Sequence, residues 1–183
     1  MKERYLLEHR QRLKTNHFPV KIVEYKPEYQ THYKKLNYEW LQKYFSVESN
    51  DEKILSNPEK EVIEKNGFIF FAVLNDQIIG TCTLMKYDKE RYELSKLCVT
   101  KKYQGKGAGE RLIDKAILKA TQLGAEKLVL STNQILTAAY SLYTKKGFQS
   151  MKNPLTLHSN YNRESIYMCL NLNDSSDREN KRK

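Results

Sequence analysis

The chain has 183 residues and is poor in those that punctuate or staple a fold: seven glycines, four prolines, three cysteines and one tryptophan. No apolar run approaches the roughly 18 residues that a membrane-crossing helix needs, so no membrane partner is expected. Met1 to Arg10 contain no apolar core of a leader, so no secretory signal is expected. Cys82, Cys98 and Cys169 are odd in number, far apart and set in strand-like stretches. That pattern does not build a disulfide framework; buried reduced thiols and a cytoplasmic setting are the expectation. His9, His17 and His32 lack metal-ligand spacing, and no Cys/His set has the spacing of a zinc site, so no metal is expected. Internal repeats are absent, and no linker interrupts 20–172.

Acidic residues are the minority, and the net charge is +10. Residues 1–19 carry +3, the polar tail 173–183 carries +1, and the domain between them holds the remaining +6. Such a balance suits a partner with phosphates, or simply a solvated lysine-rich surface. A nucleic-acid binder should interleave aromatics with Lys or Arg along a strand face. The apolar run Phe68–Leu74 has neither cation, so no nucleic acid is expected.

What is present suffices for one domain with a proper core: 39% hydrophobic residues, among them 13 tyrosines. The spacing predicts a basic arm over 1–19, with a short helix near 3–14. A domain over 20–172 and a disordered tail over 173–183 follow. Inside the domain, a strand at Val20–Tyr25 precedes a helix opened by Pro27 and running to about Tyr44. Asp51–Leu55 and Pro58–Lys65 read as short helices. Phe68–Leu74 and Gln77–Lys86 flank the two-residue turn Asn75-Asp76 as a hairpin. Tyr92–Val99 reads as a strand, with apolar residues at 92, 94, 97 and 99. A helical pattern through Leu112, Ile113, Ala116, Ile117 and Ala120 follows and ends near Gly124. Lys127–Ser131 is a strand, Ile135–Lys146 a helix, and Phe148–Lys152 with Glu164–Leu172 a final hairpin.

Between the Tyr92–Val99 strand and the next helix lies Gln104-Gly105-Lys106-Gly107-Ala108-Gly109. A helix N-terminus offers unpaired N–H groups and a positive dipole end. Glycine lets a phosphate approach that backbone without a Cβ in the way. Lys101, Lys102, Lys106 and Arg111 add charge of the right sign. The stretch reads as a diphosphate cradle. It is not a P-loop, because Lys106 is followed by Gly107 rather than Ser or Thr. Nor is it the dinucleotide fingerprint, which would need glycine at Glu110 or at Leu112.

The remaining pattern, Gln-x-x-Gly-x-Gly on Gln104, Gly107 and Gly109, resembles the cofactor motif of the GNAT superfamily of N-acetyltransferases. The segment Ala139-Tyr140-Ser141-Leu142-Tyr143-Thr144-Lys145-Lys146-Gly147-Phe148 resembles that family's second motif. The two stand in the family's order with a strand between them. The likeness is close over 92–148 and holds in outline over 20–172, as in a bacterial small-molecule-type member. It implies a single-domain α/β (α+β) fold: a mixed, mostly antiparallel twisted sheet of about six to seven strands, flanked by helices and splayed at the cofactor strand.

It also implies acetyl-coenzyme A as co-substrate. Backbone groups at Leu97, Cys98 and Val99 would bond pantetheine, and those of Gln104, Gly105, Lys106, Gly107, Ala108 and Gly109 would hold the diphosphate. Tyr143 matches the family's general acid; composition alone would favour a core aromatic, and its place in the second motif reverses that. Asn133 is a pantetheine contact or a helix cap, and Tyr140 packs on the pantetheine arm. The family's usual asparagine seven residues before the tyrosine is Leu136 here. Glu93 stands where some relatives place a general base, or is an ordinary strand glutamate, a water chain serving instead. Glu48 and Asp51 would meet an acceptor amine or form a solvated acidic loop. Arg163 would bind a substrate carboxylate or pair with an acid. The reaction implied is direct acetyl transfer to a primary amine of a small molecule in a ternary complex, with a homodimer possible. Protein N-terminal or lysine acetylation, and a non-catalytic acetyl-coenzyme A sensor, stand as alternatives.

Overall fold

The structure, a computed structural model, describes residues 19–151 and 165–173. Strand β1 (Lys21–Glu24) leads through a 3-10 turn at Pro27–Tyr29 into helix α1 (Gln30–Tyr44). Helix α2 (Ser49–Ser56) follows, then a π-helical turn at Glu59–Ile63. Strands β2 (Phe68–Leu74), β3 (Gln77–Lys86) and β4 (Arg91–Val99) form a meander. Helix α3 (Ala108–Gln122), β5 (Lys127–Thr132), α4 (Thr137–Lys145), β6 (Gln149–Ser150) and β7 (Ile166–Asn171) follow among the described residues. The sheet has seven strands in the order β1-β2-β3-β4-β5-β7-β6. Among the described strands only β4 and β5 pair in parallel. The expected architecture is present, with the short helix expected over Pro58–Lys65 reduced to the π-helical turn at Glu59–Ile63. The helix expected from Ile135 begins two residues later, because the Asn133 side chain accepts the Ile135 N–H at 3.0 Å and holds a turn there.

The sheet is covered on both faces, which is why β2 reads as an unbroken apolar run. Successive residues of a strand point to opposite faces. Phe70 therefore joins the core under α3 and α4, and Phe71 joins the core under α1 and α2. On the second face, Tyr29 and Tyr33 meet Phe71 edge-on, with ring centroids 5.2 and 6.3 Å away. The buried Tyr33 hydroxyl pairs with Thr83 Oγ1 at 2.7 Å, fixing α1 to β3.

Strand β4 departs from regular pairing. Thr81 and Thr83 of β3 face Cys98 and Ser95, so the one residue between them on β3, Cys82, is opposed by two on β4, Lys96 and Leu97. This is a β-bulge. Tyr92 and Leu94 face the α3 core, and so do Leu97 and Val99 after the bulge. Ser95 and Lys96 in consequence share the opposite face. Lys96 takes a left-handed φ of +51°, a conformation uncommon for a side chain of its kind.

Candidate active site

The β4–β5 ladder is short. Pairing covers Arg91–Glu93 against Lys127–Val129 and then stops. Beyond that point β4 follows β3, and β5 follows β7. A cleft of about 520 Å³ occupies the fork.

One end of the cleft is the N-terminus of α3. Gln104, Gly105, Gly107, Ala108 and Gly109 line it. Gly107 caps the helix with φ +83°, a left-handed conformation that favours glycine, and it lines the cleft together with Ala108 and Gly109. The Gln104 side-chain amide donates to the Val99 carbonyl at 2.8 Å and ties the loop to the strand end. Lys106 is not part of the lining; its ammonium stands 5.5 Å from the centroid of the Tyr103 ring. The Arg111 guanidinium donates to the Val20 carbonyl at 2.7 Å, anchoring the start of β1.

The middle of the cleft lies between Leu97, Cys98 and Val99 on β4 and Ser131, Thr132 and Asn133 on β5 and its exit. The Ser95 and Thr132 hydroxyls are buried there without a hydrogen-bond partner among the described residues. Buried polar groups are normally satisfied, so this unused capacity fits a ligand that carries amides, as pantetheine does. Tyr143 reaches the same zone from α4. It is 7% exposed, and its ring meets Phe148 at 5.8 Å. Burial, with Cys82 and Cys98 nearby, pushes its phenol well above the ordinary range, so it keeps its proton. Burial likewise pushes the Cys98 thiol up. A thiol so held is a poor nucleophile.

The other end opens on the α1 face, where Trp40, Tyr44 and Phe45 form the wall. Trp40 and Phe45 meet edge-on at 6.1 Å, and the Trp40 indole N–H donates to Asn37 at 3.2 Å. Glu93 lies at the fork on this side. Burial holds its carboxyl above the usual carboxylate range, and the nearby Lys96 ammonium works against that rise.

The structure thus brings Glu93, Tyr143, Asn133, residues 97–99 and most of the loop to one cleft. It leaves others out. Tyr140 shares a hydrogen bond with Ser150 at 3.3 Å and is absent from the lining. Asp51 corrects the expectation of an amine contact: it is fully buried and bonds the Lys96 ammonium at 2.6 Å. Glu48 caps α2 in a reciprocal arrangement with Asp51 and does not line the cleft. Arg163 lies outside the described residues. Sequence reasoning missed Lys96 and the aromatic wall. The signal for Lys96 was the three-residue step from Leu94 to Leu97, which breaks strand alternation.

A cleft with these ends suits transfer of a group from a phosphate-bearing carrier to a second molecule that enters from the opposite face of the sheet. Comparison with known proteins gives the class. Residues 34–148 match the model of the acetyltransferase (GNAT) family. The chain belongs to that family and is an N-acetyltransferase. It is similar to the uncharacterized N-acetyltransferase YvbK of Bacillus subtilis, 30% identical over 121 residues, which are 62% of this chain and 78% of that one. In structure it is similar to a GNAT acetyltransferase from Staphylococcus aureus Mu50, with a TM-score of 0.76 at 23% identity over 84% of this chain and 99% of that one. It is also similar to yncA of Salmonella typhimurium, solved with acetyl-CoA, with a TM-score of 0.67 at 17% identity over 86% and 96% of the two chains. Among the described residues no group of His, Cys, Asp and Glu is placed to hold a metal ion. No described helix is long and apolar enough to cross a membrane.

Proposed function

We propose that the protein transfers the acetyl group of acetyl-coenzyme A to the primary amine of a small molecule, both substrates being held at once. The observation that carries this is the fork between β4 and β5, which opens beside the N-terminus of α3 at one end and on Glu93 and an aromatic wall at the other. Coenzyme A, when bound, supplies the thioester. The α3 amides would hold its diphosphate, and the backbone of Leu97–Val99 its pantetheine. Glu93 takes a proton from the incoming ammonium, directly or through a water. Tyr143 holds a proton for the leaving sulfur. The Cys98 thiol, kept neutral, is a poor acetyl carrier, which supports direct transfer.

The acceptor side supports a small molecule. Its described wall is aromatic, and among the described residues the charged groups lining the cleft are Glu93, Lys96 and Glu110. Lys96 is paired with Asp51, and Glu110 with Lys145 and Lys146. One unpaired carboxylate beside an apolar wall fits a monoamine with an apolar body better than a polycation. Trp40→Ala should raise the KM for such an amine by roughly tenfold, the loss of about 1.4 kcal/mol of contact, and leave coenzyme A affinity unchanged.

The test is thiol release from acetyl-coenzyme A across a panel of monoamines, polyamines, amino acids and peptides, with coenzyme A binding followed by calorimetry. Turnover with a monoamine supports the reading. Turnover confined to peptides points to protein acetylation, and tight binding with no turnover points to a sensor. Glu93→Gln should lower kcat/KM by roughly 100-fold, the usual worth of a positioned base. Since Glu93 works as the carboxylate, wild-type activity should fall as pH drops through its raised pKa, and this acid limb should vanish in the variant.

A further inference from the structure

We propose that Lys96 and Asp51 are positioning residues for Glu93, an ion pair folded under the bulge of β4 that governs the charge of that carboxylate. The inference rests on Glu93 acting as the base. Three observations carry it. Regular alternation would send Lys96 into the α3 core with Tyr92 and Leu94, but the bulge and the φ of +51° turn it to the face of Glu93. There the lysine side chain is 5% exposed and that of Asp51 is not exposed at all, at a separation of 2.6 Å. Asp51 is also held from behind, because its second carboxylate oxygen accepts the Glu48 N–H at 3.3 Å.

A buried pair of this kind is weak evidence for stability, because desolvating both charges costs much of what their attraction returns. Its setting gives it a use. Lys96 is the charged group whose field acts on Glu93. Around them, β3 and β5 oppose Glu93 with Met85 and Val129. Tyr143 of α4 and Cys98 of β4 stay protonated, and the Glu39 carboxylate of α1 lies within 3.3 Å of the Thr100 hydroxyl at the far end of β4. The Lys96 cation favours a charged Glu93, and Asp51 offsets part of that effect.

The two partners should therefore move Glu93 in opposite directions. With an amine from the panel, the pH dependence of kcat/KM is measured for wild type, Lys96→Met and Asp51→Asn. Removing the cation leaves burial unopposed, so the acid limb should move to higher pH by roughly one unit. Removing Asp51 leaves Glu93 as the carboxylate nearest that cation, so the limb should move lower. A merely structural pair would not split the sign: shifts of both variants in one direction, or of neither, overturn the proposal. If the single variants fail to fold, the double variant Lys96→Met with Asp51→Leu removes both charges and keeps an apolar fill. Its limb should rise, but less than in Lys96→Met, and a limb at the wild-type position overturns the proposal. Glu93→Gln separates the two claims. If its acid limb persists, the base reading has failed. If its limb vanishes while the pair variants do not split, only the pair's role has failed.

Discussion

Gly107→Val should reduce coenzyme A affinity by more than about 100-fold, the equivalent of losing two charge-assisted hydrogen bonds at about 1.5 kcal/mol each. Gly107 has φ +83° and is the cap of α3. A β-branched residue does not accept that conformation, at a cost of roughly 1–2 kcal/mol for any L-residue and more for valine. The backbone must rotate, and the amides of the first turn swing away from the cleft. The added side chain also stands where a diphosphate would approach. The fold should survive, because the loop lies at the edge of the core; a fall of roughly 5 °C in Tm matches the strain. Isothermal calorimetry decides the matter. An unchanged Kd would show that the α3 end does not hold the diphosphate.

The second large effect belongs to Tyr143. Tyr143→Phe should lower kcat by roughly 100- to 1000-fold, within the range for a lost proton donor, and leave coenzyme A affinity close to wild type. The ring supplies the packing against Phe148, and phenylalanine keeps it. The hydroxyl has no hydrogen-bond partner among the described residues, so its loss leaves no such group stranded. Stability should hold or rise slightly. Rapid-quench measurement of a single turnover isolates the transfer step from product release. Equal turnover in the variant would remove the hydroxyl from the reaction and leave Tyr143 as a core aromatic.

Much of this architecture is legible in the chain. The unbroken run Phe68–Leu74, the Asn75-Asp76 turn and the return to Lys86 are local signals, and the observed strands have those bounds. The glycine loop and the helix after it are equally local, since a left-handed cap and a helical period are properties of neighbouring residues. The fork is less so. It depends on where β5 stops pairing with β4, which turns on residues some 35 positions apart. Asp51 shows the limit clearly. As a sequence feature it is an acid in a polar stretch near a helix start, which suits solvent or an amine equally well. Its burial follows from a contact 45 residues away.

The chain's own order of residues was enough to set the sheet's meander, the cap of α3, the aromatic at position 143 and the family likeness, because each arises from turns, periodicity and short-range sterics. Three-dimensional packing settled which face of β4 receives Lys96, what neutralises it, and which aromatic residues wall the acceptor end. Those outcomes depend on a bulge and on helices meeting a sheet. A contact across a sheet face is chosen by the elements that bury it, and no local pattern records which those will be.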